Sequence, residues 1–298
     1  MLVNAANLAS LYTSFSGAFQ GAFAGVAPMY GRVATTVPSS TAENEYGWLK
    51  DMPGFREWVG DRVIQSVAND GYKIRNRDFE QTIGVKRNHI EDDNLGIYST
   101  LFTSMGQSAA EFPDSLVWPF LKAGFDTECY DGQYFFDTDH PVVNAEGATV
   151  SVSNSGGGAG TPWFLLDVSR AIKPVIYQSR KPFDNLVRRD KEDDERVFMR
   201  KEFVYGIDGR CNVGYSFWQL AYGSKQTLDA TNYAAARAAM GSFKGDGGRP
   251  LGIKPNLLVV PPTLEGAANK LIKNDLAAGG ETNEWKGTAE VLVAPWLA

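Results

Sequence analysis

Ile97, Leu101, Met105, Ala109, Phe112, Leu116 and Phe120 follow one another by threes and fours. That spacing lays all seven on one face of a helix. Read as continuous, residues 97–125 form a rod about 40 Å long at about 1.5 Å per residue. A rod of that length dictates what can pack on either side of it. Pro113 and Pro119 are expected to kink or divide it, and Gly124 to stop it.

The segments before the rod are of two kinds. In residues 7–26, Leu8, Leu11, Tyr12, Phe15, Phe19 and Phe23 share a helical face, and the opposite face is small and uncharged. Gly17, Gly21 and Gly25 each weaken a free helix by up to about 1 kcal/mol. The segment therefore needs a surface to lie on, either its own domain or, as the preferred reading, a neighbouring subunit. Residues 54–90 read as strands. Asn69-Asp70-Gly71 is a turn signal between Val63/Val67 and Tyr72/Ile74. Phe79, Gln81, Ile83 and Val85 then alternate with Glu80, Thr82, Gly84 and Lys86. A ribbon with so little apolar surface is marginal alone in water, and it is expected to extend outwards, with Gly71–Arg77 near its tip.

After the rod, the Gly- and Ser-rich stretch 151–160 reads as a loop or hinge, since no Lys follows the glycines as a phosphate cradle requires. Residues 188–196 read as a solvated charge run. Val197–Tyr205 and Cys211–Tyr222 read as strands on either side of Gly206-Ile207-Asp208-Gly209. An alanine-rich helix lies within Leu228–Met240. Leu257–Val260 and Val291–Val293 are short strands, and Thr263 is placed to cap the helix of Leu264, Ala268, Leu271 and Ile272. Strands and helices do not alternate regularly, so the class is α+β.

Composition excludes more than it selects. At 43% hydrophobic and 21% charged, the 298 residues can bury a core. The net charge of −6 and the absence of a Lys/Arg cluster argue against a protein that grips nucleic acid by its phosphates. Arg188 and Arg189 are offset by Asp190, Glu192, Asp193, Asp194 and Glu195. Two distant cysteines, Cys129 and Cys211, fit a reducing compartment. No basic residue precedes Arg32, and no apolar run approaches the roughly 20 residues of a membrane span.

The search for chemistry yields little. Only His89 and His140 offer an imidazole. Asp137-Thr138-Asp139-His140-Pro141 reads first as a turn, with a hydrolase using Asp137, Asp139 and His140 as the enzymatic alternative. A Cys129–His140 nucleophile pair is a more remote one. There is no nucleophile elbow, dinucleotide fingerprint or zinc-protease motif. Glu91, Asp92 and Asp93 place negative charge before the long helix. No metal or cofactor is expected.

Blocks spread over almost the whole chain resemble the major head subunit of Mu-like tailed bacteriophages. They include Val37-Pro38-Ser39-Ser40-Thr41, Arg56-Glu57-Trp58-Val59-Gly60-Asp61-Arg62, Asn94-Leu95-Gly96-Ile97-Tyr98, Cys129-Tyr130-Asp131-Gly132-Gln133, Lys173-Pro174-Val175-Ile176-Tyr177-Gln178 and Phe217-Trp218-Gln219. The resemblance implies the HK97-like capsid fold. In it, residues 1–45 are an N-terminal arm and 46–94 the extended β-ribbon, or E-loop. Residues 95–159 are a peripheral domain with the spine helix. Residues 160–298 are mainly the axial domain, with 197–223 returning to the peripheral one, in an order that looks permuted. The implied function is structural: hexamers and pentamers build an icosahedral head around double-stranded DNA. Partners would be further copies, a separate scaffold and protease, a portal and a cement or decoration protein, with assembly in the bacterial cytoplasm. A cellular nanocompartment shell is the alternative within the same fold. Phe15, Phe19, Phe23, Arg56, Glu57, Trp58, Asp61 and Arg62 are the expected inter-subunit contacts.

Overall fold

The computed structural model describes residues 2–50, 71–92, 95–191, 193–277 and 279–298. Helix α1 (Ala5–Gly25) opens on Asn4, whose Oδ1 accepts from the Asn7 N–H at 2.8 Å. Strand β1 (Ala34–Pro38) and strand β2 (Glu43–Tyr46) follow, then β3 (Tyr72–Arg75), β4 (Arg77–Lys86) and the short α2 (Arg87–Glu91). The long helix α3 (Gly96–Lys122) runs unbroken through both prolines. Packing on two sides sustains it. Buried Asp114 accepts from the Trp118 indole N–H and from the Met29 backbone N–H, tying the turn after Pro113 to its surroundings.

The buried stripe of α3 keeps Met105 and Ala109 of the expected face but is shifted by one position on either side of them. Tyr98, Phe102, Met105 and Ala109 face inwards, while Ile97 and Leu101 are 53% and 47% exposed. Helix α1 covers that inner stripe. Phe15 stacks on Phe102 with ring centroids 4.4 Å apart. A side chain at Gly106 would sit 2.3 Å from the Phe19 carbonyl oxygen, so glycine there permits the close approach of the two helices. The surface that the glycine-weakened α1 requires is thus in its own chain. This corrects the expectation for Phe15 and Phe19, whose rings are enclosed within the subunit.

Downstream come β5 (His140–Val143), β6 (Thr149–Val152), β7 (Ser155–Gly158), β8 (Trp163–Leu166), β9 (Val175–Lys181) and β10 (Val187–Arg189). Next are α4 (Glu195–Arg200), β11 (Glu202–Tyr215), β12 (Ala221–Lys225), α5 (Ala230–Ser242) and the two-residue strands β13 (Lys244–Gly245) and β14 (Arg249–Pro250). Strand β15 (Leu257–Val260), α6 (Glu265–Ile272) and β16 (Glu290–Val293) complete the chain order.

Two five-stranded sheets organise the molecule. The first is centred on β11, which pairs antiparallel with β9, β10 and β4, while β1 adds to β9 in parallel. The second runs β16-β15-β8-β12-β7. Strands β2 and β3 form a separate pair, as do β5 and β6.

Five sequence expectations change here. Strand β11 passes straight through Gly206–Gly209, where a break was expected. A side chain at Gly209 would lie 2.5 Å from the Phe183 ring, so this glycine serves packing and not a turn. The supposed strand from Val197 begins as helix α4, with the charge run before it partly ordered as β10. The glycine-rich stretch contains β7, held parallel to β12 by backbone bonds that need no side chains. Gly71–Arg77 is no outward tip. Residues 72–75 pair with 43–46, Ile74 is buried, and β4 pairs along its length with β11. Finally, Thr263 falls in a 3₁₀ turn, and Leu264 occupies the N-cap of α6.

Candidate assembly surfaces and the Cys129 cluster

Among the described residues, Cys129, Asp131 and His140 are the one group of three His, Cys, Asp or Glu side chains whose ligand atoms come close enough to share an ion. An irregular segment between α3 and β5 brings it together, pinned by a bridge between Glu128 and Tyr134. The Cys129 Sγ lies 3.1 Å from Asp131 Oδ1, and His140 Nδ1 lies 2.7 Å from Asp131 Oδ2. Nε2 of His140 is 3.2 Å from Asn154 Oδ1. The imidazole stacks on Trp218 at 4.1 Å and is fully buried.

This geometry does not favour hydrolysis. Asp131 stands between thiol and imidazole, so the two are not a nucleophile and its base. Burial, with the Asp131 carboxylate beside it, pushes the Cys129 thiol up and away from the reactive thiolate. Burial also opposes the charge of Asp131, but hydrogen bonds from His140 and Cys129 outweigh it and hold the carboxyl below its usual range. The alternative set Asp137, Asp139 and His140 fares no better. Asp137 accepts from the Tyr134 and Thr138 backbone N–H groups, and both His140 nitrogens already face partners. The sequence flagged Cys129, Asp137, Asp139 and His140 but gave no sign of Asp131 or Asn154.

The outer surface offers contacts instead. Phe23 is half-buried in an apolar groove of about 210 Å³ with Val26, Pro28, Tyr30, Pro113 and Tyr177. Phe198 and Met199 on α4 stand out at 81% and 70% exposed, close to the exposed cations Arg200 and Lys201. Sequence reasoning missed them because Val197-Phe198-Met199 reads as a strand, and only Val197 turns inwards. The β4–β11 ribbon carries charges along its face. Asp78 pairs with Arg210 at 2.7 Å, and Lys181 pairs with Asp208. Arg56, Glu57, Trp58, Asp61 and Arg62 lie outside the described residues.

Comparison with known proteins identifies the family. A family model described as Mu-like prophage major head subunit gpT matches residues 8–297. The chain is 45% identical over 306 residues to the major capsid protein of Escherichia phage Mu, covering 100% of both. It is 45% identical over 276 residues to the Mu-like prophage FluMu major head subunit of Haemophilus influenzae, covering 90% of this chain and 89% of that one. Among solved structures, a chain of the procapsid of bacteriophage JBD30 matches with 48% identity and a TM-score of 0.86, covering 99% of this chain and 100% of its own. A chain of the JBD30 capsid decorated with minor capsid protein trimers matches with 38% identity and a TM-score of 0.77, covering 100% of both. The fold is therefore the HK97-like capsid fold that the sequence blocks implied. The chain belongs to the Mu-like major head subunit family, and it is a structural capsid protein and not an enzyme.

Proposed function

We propose that copies of this chain assemble as hexamers and pentamers into an icosahedral head that encloses double-stranded DNA, inside the cytoplasm of a bacterial host. The observation that carries the reading is the end-to-end likeness to a procapsid subunit, at a TM-score of 0.86 over 99% of the chain. The net charge of −6 supports it, since DNA must be packed without adhering to the wall and must leave again.

Residues up to 45 act as the arm, and 46–94 as the E-loop. The pairing of β2 with β3 is a suitable base for that loop. Strands β9, β10 and β11 with α3 are the peripheral domain, which β1 of the arm and β4 of the E-loop join at the sheet. The β16-β15-β8-β12-β7 sheet with α5 and α6 is the axial domain, which takes β7 and β12 into it and gives β9 to the peripheral side. Phe23, Phe198 and Met199 join Arg56, Glu57, Trp58, Asp61 and Arg62 as contacts between subunits. A separate scaffold and protease, a portal and a decoration protein are the partners. The last of these is supported by the minor capsid protein trimers on the JBD30 capsid.

The test is electron microscopy of particles from cells that co-express the chain with its neighbouring head proteins. Closed shells with five- and six-fold capsomers and nuclease-protected double-stranded DNA are expected. Well-folded subunits that stay monomeric under those conditions would overturn the reading.

A further inference from the structure

We propose that Cys129, Asp131 and His140 form a zinc site that staples the irregular segment after α3 to the start of β5. One ligand atom from each of the three lies within 4.8 Å of the others. The donor set is a thiol, a carboxylate and an imidazole, which is zinc chemistry; calcium and magnesium prefer an all-oxygen shell.

Asn154 decides which imidazole nitrogen would bind. Its Nδ2 donates to the carbonyls of Phe135, Trp218 and Ala221, and its Oδ1 accepts from the Asp137 N–H. Those four bonds fix the orientation of the amide. Oδ1 must then face His140 Nε2, so Nε2 carries a hydrogen and donates it. This leaves Nδ1 as the ligating atom, and it points at Asp131 from 2.7 Å. A ligating histidine whose other nitrogen donates to a fixed carbonyl oxygen is the usual outer arrangement of a metal site. At 2.7 Å, Nδ1 and the Asp131 carboxylate share a proton in the metal-free subunit, and zinc would take the place of that proton.

The space is adjustable where it needs to be. Zinc bonds of about 2.0–2.3 Å at tetrahedral angles would spread the 2.7 and 3.1 Å contacts by roughly half an ångström. Asp131 can supply that. Its side chain sits at the rim, 11% exposed, and Gly132 beside it has a φ of +86°. His140 is clamped against Trp218 and stays in place. The fourth position falls to water or to the second oxygen of Asp131. Buried thiols are poor thiolates by themselves, and the ion supplies the charge that changes this. The site is structural, because the buried imidazole and thiol leave no room for a substrate.

The experiment uses unassembled full-length subunits and zinc alone as the probe. Protein is equilibrated with zinc chloride, dialysed against metal-free buffer and assayed for metal and for melting temperature. About one zinc per chain is expected to remain, with a higher melting temperature that a chelator reverses. Cobalt in its place should give a thiolate-to-metal absorption band. Cys129→Ser and Asp131→Asn should each weaken retention by at least about tenfold. Wild-type protein that keeps no zinc, and melts alike with zinc or chelator, overturns the proposal and leaves three side chains that only hydrogen-bond one another. Equal retention by folded Cys129→Ser and Asp131→Asn overturns it as well. The wild-type measurement stands even if a variant fails to fold.

Discussion

The two sheets of this subunit solve opposite problems. In the second sheet, every residue of β8 and β15 is buried, so Trp163-Phe164-Leu165-Leu166 and Leu257-Leu258-Val259-Val260 are covered on both faces. Such strands read as unbroken apolar runs and have one stable home. In the first sheet, β4 leaves most of its residues at least partly exposed, and the N-terminal part of β11 alternates between inside and outside. The second sheet is completed by its own chain. The ribbon of the first sheet is only half-completed, and it retains surface for something else. A shell subunit needs both, a body that holds its shape alone and edges that gain by meeting a copy.

The comparison can be broken by mutation. Phe164 packs against the rings of Phe125 and Phe136. Phe164→Ala should cost about 3–5 kcal/mol of subunit stability. A loss under about 1 kcal/mol in urea unfolding would mean that the second sheet is not the rigid body described. Ile83 on β4 is half-buried, and Ile83→Ala should cost roughly 1–2 kcal/mol. A cost equal to that of Phe164→Ala would erase the distinction between the sheets.

Alkaline pH should tell them apart in a second way. Burial raises Tyr177, Tyr205 and Tyr215 in the first sheet, and Tyr46 and Tyr72 in the β2–β3 pair beside it, while the second sheet holds Tyr222. For Tyr46 the ordinary value of 10.0 moves up to about 12. The unfolded chain then ionises first, so stability is full below pH 10 and falls as pH rises from 10 to 12. Urea unfolding at stepped pH should show that decline, and Tyr46→Phe should make it shallower without abolishing it. A flat profile in wild type would contradict the burial of these phenols.

Smaller effects belong to the exposed face. The double substitution Phe198→Ala and Met199→Ala should shift subunit stability by no more than about 0.5 kcal/mol, since both side chains are already in water. The yield of closed heads should nonetheless fall. Normal heads from this variant would remove α4 from the assembly surface. Asp208→Asn, which breaks an exposed pair with Lys181, should change stability by about 1 kcal/mol or less.

Sequence reached the existence of α3 and its phase at Met105 and Ala109, but not its phase in the first turns. Ile97/Leu101 and Tyr98/Phe102 both keep the helical spacing, and only the arrival of α1 decides which pair is covered. Gly206 and Gly209 looked like a turn because the ring of Phe183, which needs the missing side chain of Gly209, lies far away in sequence. Strand β7 was hidden by its glycines, since backbone pairing leaves no apolar signature. The cluster around Asp131 was half-legible. Cys129 and His140 drew notice as rare residues, whereas Asp131 and Asn154 matter only through the way the loops fold. The family blocks were the strongest signal because they ran the length of the chain.

Strand β11 also sets a timetable. Its partners in β4 lie well over a hundred positions upstream, and β9 and β10 are made before it as well. Until β11 leaves the ribosome, β4 and β10 have no partner in this sheet and β9 has only β1, and closing loops of that length is slow. Nascent chains thus pass through an interval in which these strands are incompletely paired, a hazard that grows with chain concentration. The rate at which folded subunits enter the pool is therefore tied to one late strand. Damage to β11 should appear first as insoluble chains during expression, before any fault in a finished shell.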